Sequence, residues 1–237
     1  HYLAVGSATL LTNHITGKSA FNYTDFTTAA VLSSEYVAFV VKTDSPIQSG
    51  RDLAARLRKD PAAASIAVST SAGNTSHIAA ALVGRTAGAD ARKMKIVVFN
   101  SGGDSMTALL GGHIDVVTIS AAGAVPQAQG GKVRIIGLAA ARRLHGALAE
   151  VPTWKEQGID VVVDNFRSLK GPRGMNPAQI AYWEEVAAKL VNTDEWKTEV
   201  DRNFRAMNYM RSKESRTYLE AQYRELRAVL VELGLAK

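Results

Sequence analysis

The chain has 237 residues, 46% hydrophobic and 21% charged, so it can bury a sizeable core and is too ordinary in composition to be collagenous, low-complexity or disordered. It holds no cysteine, which excludes disulfides and thiolate metal sites, and no apolar run approaches the roughly 18 to 20 residues that span a bilayer. The formal net charge is +6, but Lys and Arg are interleaved with Asp and Glu, as in "GRDLAARLRKD"; without a helix-turn-helix, zinc-finger or aromatic RNA-binding signature, nucleic acid is not expected as a partner.

Short β-branched or apolar runs alternate with segments of helical spacing, the pattern of an α/β fold with mainly parallel strands. Strands are predicted at residues 3–6, 29–32 and 36–41. A helix then opens at "SGRD", where Ser49 and Asp52 read as a capping box and Leu53 and Leu57 begin the apolar stripe. The strand at 66–69 runs into "VSTSAGNTSH", residues 68–77, almost wholly small and polar, and then into a helix marked by Ile78, Leu82 and Val83. The strand at 96–99 leads through "FNSGGDS" to a short helix at 104–110, stopped by Gly111 and Gly112. The strand at 115–119 leads through "ISAAG" to the next helix start, and further strands are expected at 133–139, 161–163, 166–170 and 206–210. After Asp164 the chain turns mostly helical. Pro177 suits a first helical position, and Leu219, Tyr223, Leu226, Leu230 and Leu233 share one face of the last helix.

Three of these loops share one design: apolar strand, small polar residues, helix start. In an open parallel sheet such loops line the ligand crevice at the carboxyl ends of the strands. The first N–H groups of a helix have no partner within it and carry partial positive charge, so small residues there let a carboxylate or phosphate approach. The same residue types also cap helices that bind nothing, and three loops in register favour the binding reading over that one. His77 falls in a first helical turn and is expected to cap or to hydrogen-bond a ligand rather than bind a metal. His14, His113 and His145 read as surface or turn residues, Asp104 as a complement to a helix dipole, and Asp115 as structural. No G-x-S-x-G elbow, P-loop, H-E-x-x-H or dinucleotide fingerprint occurs, and Ser71 or Ser76 beside His77 lacks a third catalytic partner, so neither an enzyme nor a cofactor is expected.

The segments "AVGSATLLTNHITGKSAFNYTDF", "VSTSAGNTSHIAAAL", "FNSGGDSMTALLGGHIDVV", "GKVRIIGLAAARR" and "VPTWKEQGIDVVV" resemble, in order and spacing, the periplasmic solute receptors of tripartite tricarboxylate transporters, the TctC or Bug family. The resemblance covers essentially the whole chain. It implies a two-lobed, type II Venus-flytrap α/β protein with parallel or mixed sheets flanked by helices. The first lobe would comprise residues 1–42 and 166–237, with the C-terminal helices, and the second lobe residues 43–165. It implies a small di- or tricarboxylate held between the lobes and handed transiently to membrane transporter subunits, by a monomer in the periplasm whose signal peptide is not in this chain. Carried onto matching positions, Ser71, Gly73, Asn74, Thr75 and His77 would hold one end of the ligand. Ser101, Gly102 and Gly103 would contribute from the next loop, Ser120 and Ala121 from the third, Ser7 and Ala8 from the first lobe, and Arg167 from the crossing between lobes. The family opens with a strand and a loop of the form P-F-x-P-G-G-x-x-D that clamps the ligand. That pattern has no match here, so an N-terminal segment is expected to be missing from the chain. A ligand-sensing module of the same fold is the alternative to an uptake receptor.

Overall fold

The computed structural model describes residues 2–237. In chain order the elements are β1 (Ala4–Gly6), α1 (Ala8–Ile15), β2 (Phe26–Lys42), α2 (Gly50–Lys59), β3 (Ser65–Ser69), α3 (Thr75–Thr86), β4 (Lys95–Phe99), α4 (Gly102–Leu110), β5 (Val116–Ser120) and α5 (Ala121–Gln129). They continue with β6 (Val133–Leu138), β7 (Asp164–Pro172), α6 (Pro177–Leu190), α7 (Asp194–Arg202), β8 (Ala206–Arg211) and α8 (Ser212–Glu232). The chain forms two compact units, one from Tyr36–Asp164 and the other from the residues up to Glu35 together with Asn165–Lys237. No helix among the described residues is long and apolar enough to cross a membrane.

In the Tyr36–Asp164 unit the sheet order is β6-β2-β5-β3-β4. β3 pairs parallel with β4 and β5, as the buried, β-branched runs "SIAVS" and "VVTIS" favour, whereas β2 pairs antiparallel with β5 and β6. Phe39 and Trp154 are fully buried and meet edge to face with centroids 4.7 Å apart. Truncating Phe39 to alanine would cost about 3 to 5 kcal/mol.

The two motifs most particular to the resemblance are structural clasps of this unit. In "VPTWKEQG" the Thr153 N–H donates to Glu156 Oε2 (2.8 Å) and the Glu156 N–H to Thr153 Oγ1 (3.2 Å). Gln157 Nε2 donates to the Ile136 carbonyl (3.0 Å), and Gly158 turns the chain at φ +87°. In "LLGGHID" the Gly112 N–H donates to Leu109 O and the His113 N–H to Ala108 O, with Gly112 at φ +74°, a glycine-dependent helix stop. Asp115 Oδ2 then accepts from the Ser65 N–H (2.8 Å) and hydroxyl (2.6 Å), tying β5 to the start of β3.

The other unit carries the sheet order β1-β7-β2-β8, with β1 antiparallel to β7 and β8 antiparallel to β2. Ala30, Leu32, Ala187 and Val191 form one buried cluster with Leu169, Trp196 and Tyr209 packed against it, and α8 buries Leu219, Leu226 and Leu230. α6 begins with Pro177 as its first residue, behind an Asn176–Gln179 capping box.

Three local expectations are corrected. Residues 29–32 and 36–41 belong to one strand, β2, because Ser33 and Ser34 between them are buried and the Ser34 Oγ accepts from Asn208 Nδ2 (2.8 Å) on β8. Residues 161–163 are not a strand, although the Val163 N–H still donates to the Ala139 carbonyl. At the head of α2, Ser49 caps the Asp52 N–H (3.2 Å), but Asp52 reaches back to the Gln48 N–H (3.0 Å) rather than to Ser49, so the capping box is displaced by one residue.

Candidate functional site

Because β5, β3 and β4 lie side by side and parallel, the loops that leave Ser69, Phe99 and Ser120 emerge at one edge of the sheet, each running directly into a helix. The loops are tied together. The Thr70 N–H donates to the Phe99 carbonyl (2.7 Å), and the Ser69 and Ser105 hydroxyls are 2.9 Å apart, Ser105 being fully buried. A Cβ on Gly102 would stand 2.8 Å from Ile119 Cδ1, so the first residue of α4 is small because the end of β5 presses on it.

Each of the three helices is capped in the same way. Asn74 Oδ1 accepts from the His77 N–H (2.9 Å), Ser101 Oγ from the Asp104 N–H (3.1 Å) and Ser120 Oγ from the Gly123 N–H (3.2 Å). The caps satisfy the third N–H of each helix and leave the first two. The amides of Thr75, Ser76, Gly102, Gly103, Ala121 and Ala122 therefore have no acceptor among the described residues. Six N–H groups and the positive ends of three helix dipoles at one sheet edge form an environment for a small oxoanion.

The first loop is the most constrained. Asn74 Nδ2 donates to the Ser69 carbonyl and to Thr70 Oγ1, so one side chain holds both the helix start and the turn before it. Thr70 has φ +70°, rare for a β-branched residue, and the Ser71 N–H closes a three-residue turn onto Ser69 O (2.9 Å). Gly73 lies at φ +82° and donates its N–H to His77 Nδ1 (3.0 Å). The buried His77 ring thus spends its Nδ1 lone pair holding the loop, and that nitrogen carries no proton in this geometry. No group of three or more His, Cys, Asp or Glu suited to a metal occurs among the described residues.

The structure brings together Ser71, Gly73, Asn74, Thr75, His77, Ser101, Gly102, Gly103, Ser120 and Ala121, all in the Tyr36–Asp164 unit. Ser7, Ala8 and Arg167 belong to the other unit. Ser7 caps α1, its Oγ accepting from the Thr9 N–H (3.3 Å), and Ala8 is fully buried. Arg167 pairs with Glu35 through Nη2 and donates through Nη1 to the Asn165 and Phe166 carbonyls (both 3.2 Å). The sequence reading missed Ser76 and Ala122, which offer main-chain N–H groups whatever their side chains; counting two residues past each cap would have found them. It also missed Thr70, whose backbone nothing in a threonine foretells.

The family model described as tripartite tricarboxylate transporter family receptor, TctC, matches residues 2–235. A relative from Cupriavidus necator, the UPF0065 protein in gbd 5'region, is 25% identical over 198 residues, 84% of this chain and 59% of that protein, so the match spans less than two thirds of the relative. Among solved structures, a TctC solute binding protein from Polaromonas without ligand aligns at a TM-score of 0.79 and 23% identity, over 98% of this chain and 78% of that one. MatC from Rhodopseudomonas palustris with bound malate aligns at 0.76 and 20%, over 96% and 78%. A second protein from R. palustris, solved with adipate, aligns at 0.83 and 18%, over 99% and 78%. At these identities the solved structures speak for the fold.

Proposed function

The chain belongs to the tripartite tricarboxylate transporter receptor family, and on that premise we propose that it is a periplasmic receptor that captures a small organic di- or tricarboxylate and delivers it to a membrane transporter of that type. The observation that carries the reading is the set of six amide N–H groups at the heads of α3, α4 and α5, without protein acceptors and on one sheet edge. Each hydrogen bond to a carboxylate contributes about 1.5 to 3 kcal/mol, and a micromolar complex needs about 8 kcal/mol net of association costs, so the cradle can supply most of such an affinity. The malate and adipate seen in two relatives of the same fold support carboxylates as the ligand class.

In this reading Asn74 and His77 shape the first loop, and the amides of Thr75, Ser76, Gly102, Gly103, Ala121 and Ala122, with the hydroxyls of Ser71, Ser101 and Ser120, line the seat from which donors are drawn for the acid. No bond is made or broken. Ser7, Ala8 and Arg167 are assigned to the ligand on the family resemblance alone, and the monomeric state and transient partner rest on it too. Titration calorimetry with malate, succinate, adipate and citrate tests the proposal. Saturable binding of at least one acid is expected; no heat and no thermal shift with any of the four would overturn it.

A further inference from the structure

The unit that contains Asn165–Lys237 has a cavity of about 450 Å3 between the start of β2, the turn from β7 to α6 and the N-terminal part of α8, within the size range of small-molecule sites. Its chemistry differs from the amide cradle. Arg173 and Arg216 line it together with Tyr23, Phe26, Ile180 and Leu219. Arg216 makes no hydrogen bond or ion pair among the described residues, and Glu220 one turn further along α8 pairs with neither arginine. The carboxylate oxygen paired with Arg173 is Asp25 Oδ1 at 4.0 Å, beyond hydrogen-bonding reach, and Asp25 Oδ2 is already held by the Asn22 N–H at 2.7 Å. Two planar guanidinium groups, each with five donors, therefore border one cavity: Arg216 without a hydrogen-bonded partner, and Arg173 with the Asp25 carboxylate only at 4.0 Å, while the Glu220 carboxylate acts on the Tyr23 ring rather than pairing with either arginine. A third cation lies close by, the Lys170 ammonium 3.8 Å over the Phe26 ring, and burial lowers the pKa of that lysine.

The apolar side of the cavity is aromatic and aliphatic. Leu219 is buried, Phe26, Tyr23 and Ile180 are half-buried, and burial raises the pKa of the Tyr23 phenol, so that ring stays neutral. An arginine fork matches a carboxylate in two parallel hydrogen bonds, while the rings would cover a hydrocarbon body that finds no counterpart among the glycines and serines of the cradle. We infer that this cavity is a second ligand site, distinct from the cradle and selective for a monocarboxylate with an aromatic or aliphatic tail. The inference does not depend on the function proposed for the cradle.

The probe is 4-phenylbutyrate, titrated into the whole chain by calorimetry and compared with its neutral amide and with acetate. Saturable binding of 4-phenylbutyrate is expected, about tenfold tighter than either comparison compound, since the amide lacks the charge and acetate the tail. Arg216→Gln and Arg173→Gln, both at exposed side chains, should each weaken it several-fold, and Thr75→Pro should leave it unchanged. Equal binding of acid and amide on the unaltered protein, no saturation, indifference to both arginine changes, or loss of binding in Thr75→Pro would each overturn the inference.

Discussion

Thr75 is the first residue of α3, and its side chain caps nothing; what it offers is an N–H. Proline is accommodated at a first helical position, and Asn74 before it already has φ −75° and ψ 175°, the extended backbone that a residue preceding proline adopts. Thr75→Pro should therefore leave the melting temperature nearly unchanged while weakening carboxylate binding about tenfold or more, the effect of one charge-assisted hydrogen bond. Asn74→Ala removes the cap of α3 and the donor to Ser69 O and Thr70 Oγ1, and should cost about 1 to 2 kcal/mol of stability in denaturant titration as well as affinity. The two variants separate a residue that presents a donor from one that builds the loop. Gly73→Val joins the second kind, because a β-branched side chain at φ +82° adds about 1 to 2 kcal/mol of backbone strain.

At the scale of elements, the helices were legible from their apolar spacing and from Pro177, whereas the caps that fix their first residues were not: Asn74, Ser101, Ser120 and Asn176 each stand directly before the helix that they cap, and α4 begins at Gly102 rather than at 104. The single long β2 was not legible. "SSE" at residues 33–35 is polar, and only residues far along the chain make it a strand interior, Asn208 for Ser34 and Arg167 for Glu35. The family motifs were readable as a signature, but their work is visible only in three dimensions. Asp115→Ala should destabilise the protein by about 2 to 3 kcal/mol in urea titration, since it strips two hydrogen bonds from the buried Ser65. Glu156 has its pKa held below the ordinary 4.5, first by the Thr153 N–H and then by Arg143. A depressed folded-state value means that its stabilisation is present above the unfolded value and is lost as pH falls through the folded one. The advantage of the native protein over Glu156→Gln in melting temperature should accordingly shrink as the pH is lowered from about 6 towards 3.

For the molecule as a whole, the α/β class, the alternation of strands and helices and the three-loop edge could be read from the chain, because each follows from periodicity and small-residue clusters. The identity of the ligand could not be read. The groups offered at the heads of α3, α4 and α5 are main-chain amides common to every sequence, so the side chains record where an anion fits and little about which acid it is. The assignment of a carboxylate to this edge is tested most directly by following the backbone amide signals of the labelled protein during titration with malate and adipate. Saturable shifts concentrated at Thr75, Ser76, Gly102, Gly103, Ala121 and Ala122 are expected for at least one of the acids. Saturable shifts elsewhere in the chain, with these six amides unmoved, would contradict the assignment.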